Sequence, residues 1–156
     1  MKPLMNIERF GAIEDELVKL VIEQLCPRYI PVGEVLYIDD AKEKFSFYDK
    51  RRMDELGCAV EAHGKMPDVI VFYPEKGWLF LIESVTSHGP IDAKRHAELA
   101  SLFSSVEPGI VYVTVFPDRN LMTRYFGVIS WETEVWVADA PDHLIHFNGD
   151  RFLGPH

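Results

Sequence analysis

The chain has 156 residues, 47% of them hydrophobic, with 16 Lys and Arg against 25 Asp and Glu and a formal net charge of −9. That length and apolar content suit one globular domain with a real core and exclude extended disorder. The negative charge argues against non-specific nucleic-acid binding through a basic surface. It leaves room for a metal-assisted phosphodiesterase, whose acids gather at the site and whose ions restore local positive charge.

The N-terminal "MKPLMNIERFG" lacks the apolar segment of a secretory signal. No apolar run approaches the roughly 18 residues of a membrane span, so no membrane association is expected. Cys26 and Cys58 are too few for a disulfide framework, which points to a reducing cytoplasm. Cys58 and His63 could be imagined as zinc ligands, but no second pair has ligand spacing, and ordinary core or surface roles are the expectation.

In chain order, Ile13, Leu17, Leu20, Val21 and Leu25 recur at helical spacing, and Pro27 is expected to stop that helix. "GEVLYID" reads as a short strand. "AKEKFSFYDKRRMDEL" is charged, its later part helical, with Gly57 as C-terminal cap. "DVIVFY" and "WLFLIESV" read as two strands joined by the turn residues Pro74, Glu75, Lys76 and Gly77. "IDAKRHAELASLFSS" is an amphipathic helix and "GIVYVTVF" a buried strand. Asp118 caps a short helix through "RNLMTRYF". "TEVWVAD" and "HLIHFNGDRFL" give two or three short strands, with Asn148–Gly149 as a turn signal. The middle strands are apolar on both faces, so covering layers are needed, and a mixed α/β sandwich is predicted.

Each of the two middle strands carries one acid, Asp68 and Glu83. With Glu75 and Lys76 at the centre of the turn, Phe72 faces Leu79, Ile70 faces Leu81, and Asp68 faces Glu83. Opposed Cβ atoms are about 5 Å apart, where two bare carboxylates repel by about 3 kcal/mol at an effective dielectric of about 20. A shared proton, an intervening Arg or Lys, or a divalent cation bound by both acids would compensate. The competing reading is a solvated Asp68 at a frayed strand end.

"PDVIVFYPEKGWLFLIESVTSHGPIDAKRHAEL" resembles the C-terminal domain of the BsuBI/PstI type II restriction endonucleases. Pro67–Asp68 with Glu83 on the next strand is similar to the PD-(D/E)xK nuclease signature, and "LIESVTSHGP" followed by "KR" and "EL" is the more specific part. The resemblance runs from about Gly11 to about Phe152 and implies a restriction-endonuclease-like core, a mixed β-sheet flanked by helices. It also implies Mg²⁺-dependent hydrolysis of double-stranded DNA at a short palindrome, CTGCAG for the family's namesakes, by a homodimer. Family members are longer, with a helical N-terminal domain that helps hold DNA. Residues 1–156 are therefore expected to be a single nuclease domain, with weak, salt-dependent DNA binding on its own.

By this resemblance Asp68 and Glu83 hold the metal. The motif's lysine should stand two residues after Glu83, where the chain has Val85. Lys94, early in the following helix, is the candidate for the catalytic cation, and Lys65 is its competitor. Glu14 is weighed as a further acid, against a role on a solvated helix face. His88 is a candidate phosphate or loop contact. Ser87 and His88 are adjacent and form no nucleophile pair, and no nucleophile elbow is present. His143, His146 and Asn148 lack the helix that a His–Asn–His nuclease site requires. Another nuclease of the same superfamily, for repair or RNA, and a non-catalytic remnant remain as alternatives.

Overall fold

The computed structural model describes residues 10, 13–40, 43–58, 65–86, 89–147, 149 and 155. Asp15 caps the first helix by accepting from the Leu17 and Val18 amides. The helix then runs as α1 (Glu16–Leu20), a π turn (Val21–Leu25) and α2 (Cys26–Tyr29). Pro27 lies inside the helix, where the sequence predicts a stop. Proline lacks the donor for a regular helical bond, and the wide π turn just before it takes up the irregularity. The chain leaves the helix at Ile30.

β1 (Glu34–Asp40), β2 (Glu43–Tyr48), β3 (Val69–Tyr73), β4 (Trp78–Ser84), β5 (Gly109–Phe116), β6 (Thr133–Val137) and β7 (Leu144–Phe147) form a sheet in the order β2-β1-β3-β4-β5-β6-β7. The β4–β5 and β5–β6 pairs are parallel and the others antiparallel. Helices make the two parallel crossovers: α4 (Ala93–Leu102) links β4 to β5, and α5 (Arg119–Tyr125) links β5 to β6. Asp118 caps α5 as expected, accepting from the Leu121 amide at 2.8 Å.

β2 and α3 (Lys50–Glu55) share the charged segment, of which the sequence predicts only the helical half. Gly57 follows α3 with φ +85°, and a Cβ there would lie 2.7 Å from the Ser105 carbonyl oxygen, so glycine suits both the backbone and the space.

The buried strands β3 and β4 are covered on both sides, which accounts for their apolar residues at every step. Leu17, Val18, Val21 and Ile22 pack with Val69, Val71 and Ile82 on one face. Leu99 and Phe103 pack with Ile70, Leu79 and Leu81 on the other. The β3–β4 register pairs Phe72 with Leu79 and Ile70 with Leu81, as the turn arithmetic predicts. The expected third strand after Asn148 lies outside the described residues.

Candidate active site

One step beyond the last β3–β4 ladder pair, Val69 with Ile82, the same register sets Asp68 opposite Glu83. Both acids therefore stand on the face covered by α4. Asp68 precedes β3, but its position is fixed: its carbonyl accepts from the Asp39 amide at 2.8 Å. Its Oδ2 accepts from the Ser84 amide at 2.8 Å and from Ser84 Oγ at 3.0 Å. Asp68 is thus built into the sheet. Glu83 is paired in register with Thr114 on β5, so the row Asp68, Glu83, Thr114 crosses three strands.

Glu83 is 4% exposed. Its Oε1 accepts from Arg95 Nη2 at 2.8 Å, an ion pair with almost no solvent around it. Burial pushes the Glu83 carboxyl up to about 7, the Arg95 hydrogen bond and charge pull against that rise, Asp68 adds to it, and Lys65 opposes it. The repulsion expected between the acids is thus offset by an arginine.

Helix phase determines which side chain reaches Glu83. Asp92 caps α4 by accepting from the Arg95 amide at 2.8 Å, and the Ile91 amide donates to Thr114 Oγ1 at 3.1 Å. With the helix start pinned to β5, Arg95 and Leu99 face inward, one turn apart. Lys94 is turned about 100° away on a 3.6-residue helix. Its side chain is 86% exposed, and its Nζ lies 4.0 Å from Glu98. The expected approach of Lys94 to the acids is therefore taken by its neighbour Arg95. Lys65, Lys94 and Arg95 all line one cavity of about 700 Å³, together with Glu98 and Ser101. Lys65 is the lysine whose charge acts on Glu83.

Val85, at the position of the motif lysine, is buried among Phe116, Met122 and Val137 beneath α5. A lysine there would place an ammonium in apolar surroundings without a partner. Glu14 is exposed just ahead of the Asp15 cap, and the helix it introduces packs on the opposite sheet face. Ser87, His88, His63 and Asn148 lie outside the described residues. His146 Nδ1 meets Glu134 at 2.5 and 2.7 Å, away from the acid pair, and His143 is exposed in the β6–β7 connection.

Among the described residues no three His, Cys, Asp or Glu side chains gather closely enough to hold an ion. Asp68 and Glu83 are the two acids here that could supply oxygen ligands to an ion. Two hard carboxylates on one sheet face suit Mg²⁺, which binds through one or two carboxylates and takes further oxygens from water and phosphate.

The fold and these two acids define a restriction-endonuclease-like α/β domain. The SdaI restriction endonuclease structure matches it with a TM-score of 0.83 and 44% identity, covering 94% of this chain and 46% of that one. Residues 10–150 match the BsuBI/PstI restriction endonuclease domain, and the chain belongs to that family. It is 61% identical over 141 residues to the type II restriction enzyme BsuBI of Bacillus subtilis, covering 90% of this chain and 45% of that enzyme. It is 32% identical over 144 residues to the type II restriction enzyme AplI of Arthrospira platensis, covering 88% of this chain and 44% of that enzyme. The chain thus spans less than half the length of these relatives.

Proposed function

We propose that the chain is the catalytic portion of a type II restriction endonuclease, which hydrolyses double-stranded DNA at a specific short sequence. The observation that carries this reading is the opposed pair Asp68, just ahead of β3, and Glu83 on β4, beside a cavity lined by Lys65, Lys94 and Arg95. The family relationship supports the reaction class.

In this reading Asp68 and Glu83 hold Mg²⁺. When bound, the ion supplies an acidified water and neutralises phosphate charge. The sheet keeps the two carboxylates in register, and Ser84 orients Asp68 from the adjacent strand. Lys94 and Lys65, at the cavity wall, contact the phosphate backbone. Hydrolysis breaks the bond from phosphorus to the 3′-oxygen and leaves a 5′-phosphate. Attack on both strands of a palindrome related to CTGCAG calls for a two-fold dimer. Among the described residues no helix is long and apolar enough to cross a membrane, and the site of action is the cytoplasm.

The test is plasmid digestion at low salt with Mg²⁺ and with EDTA. Discrete fragments that need the metal and vanish in Asp68→Ala and Glu83→Ala support the reading. A smear would point to a nuclease without sequence preference. Intact plasmid, together with no Mn²⁺ uptake by calorimetry, would point to a non-catalytic role.

A further inference from the structure

The cation expected beside a metal-binding carboxylate pair comes neither from the strand nor from the exposed Lys94. We infer that Arg95 is the resident cation of this site, a positioning residue that holds the Glu83 carboxylate aimed along the row toward Asp68. The inference rests on the reading of Asp68 and Glu83 as metal ligands.

Three observations carry it. The first is the bond itself. Arg95 Nη2 meets Glu83 Oε1 at 2.8 Å, with the two side chains 10% and 6% exposed. An ion pair so dry fixes the carboxylate's rotamer.

The second is how firmly the arginine is rooted. Its own amide is bonded to Asp92, and the preceding Ile91 amide is bonded to Thr114, the residue in register with Glu83. The helix start is thus referenced to the same row of the sheet that carries the acid. Glu98 holds the other arm of the fork, with Nη1 at 3.4 Å from its Oε2.

The third is what remains unsatisfied. Arg95 Nε is buried without a hydrogen-bond partner among the described residues. A guanidinium retained only to neutralise a core acid is expected to find partners for its donors. Arg95 gives one close bond to Glu83, a longer one to Glu98, and lines the cavity with Lys65 and Lys94. That geometry serves orientation of Glu83 more than closure of a core network. Groups that orient a metal ligand from behind typically change metal affinity by about 10–100-fold when removed.

The experiment is Mn²⁺ calorimetry on the protein in metal-free buffer at about pH 8, with thermal melts in EDTA alongside. Wild type should take up Mn²⁺. Arg95→Met should bind it at least about tenfold more weakly, and Arg95→Lys should recover most of the loss because it restores the charge. In EDTA, Arg95→Met should melt lower than wild type. Adding Glu83→Gln to it should restore the melting temperature, a coupling that survives even where Arg95→Met alone is too unstable to titrate.

Mn²⁺ binding by Arg95→Met as tight as wild type, or tighter, would overturn the inference, because Arg95 would then compete with the ion. So would Arg95→Lys binding no better than Arg95→Met, or the loss appearing in Lys65→Gln instead. No Mn²⁺ uptake by wild type would remove the metal-site reading and this inference together. Uptake by wild type and Arg95→Met alike removes the inference alone.

Discussion

Among the described residues two carboxylates are buried in the sheet, Glu83 on β4 and Glu134 on β6, and each is paired with a basic side chain. Glu134 is satisfied from the neighbouring strand. His146 stands directly opposite it in the β6–β7 register and closes the sheet toward its last strand. Glu83 has another acid, Asp68, in the opposed position, and its cation comes from a helix above the sheet. The first arrangement has the character of a structural cross-strand pair. The second places like charges together and offsets them from outside, the arrangement on which the metal-site proposal rests. A buried acid alone therefore says little. What stands opposite it in register separates structure from chemistry.

The largest expected effect breaks the Glu83 side of that comparison. Asp68→Ala or Glu83→Ala should lower Mg²⁺-dependent DNA cleavage by at least about a hundredfold, measured as initial rate on plasmid. Wild-type cleavage by either variant would sink the metal-site reading.

Val85→Lys completes the family's motif on paper. Here it drives an ammonium into the cluster of Phe116, Met122 and Val137. We expect a loss of about 3–5 kcal/mol in urea unfolding, by analogy with uncompensated buried charges. Unchanged stability would mean that the lysine finds a route out beneath α5.

The third prediction uses pH. The Glu83 carboxyl titrates at about 7 in the folded chain against an ordinary 4.5. Between those values the folded chain binds more protons than the unfolded one, so stability falls as pH rises from about 4.5 through about 7. The difference corresponds to about 3 kcal/mol. In EDTA the wild-type melting temperature, referred to Glu83→Gln, should drop by about 5–10 °C across that window. Divalent metal should reduce the drop, because it favours the carboxylate. A flat difference between the two proteins would show that Glu83 stays ionised throughout.

The smallest effect lies at the other pair. His146→Gln should cost about 1 kcal/mol, or roughly 2–4 °C, and Mn²⁺ affinity should stay as in wild type. A loss of metal binding in that variant would erase the distinction between the two buried acids.

Much of this was legible in the chain because local rules agreed with the fold. The turn at Pro74–Gly77 and the alternating apolar residues set the hairpin register, and with it the opposition of Asp68 and Glu83. β2 was harder to see, since Lys44, Ser46 and Tyr48 alternate with Phe45 and Phe47 in a segment that also begins a charged helix. Arg95 is harder to read for a different reason. Residue type and reach favour Lys94, whereas helix phase decides direction. Leu99 and Phe103 mark the buried stripe, and counting back by four puts Arg95 on it and Lys94 off it. That signal was present in the sequence. The pinning of the helix start by Thr114 was not, because it depends on the β4–β5 register, a contact between segments far apart in the chain.

The most direct measurement is the anomalous scattering of a crystal of this protein soaked in Mn²⁺. The account predicts a peak bridging Asp68 and Glu83 on the α4 side of the sheet, with Arg95 still against Glu83. No peak there at saturating Mn²⁺, with Asp68 and Glu83 keeping only their protein partners, would contradict it.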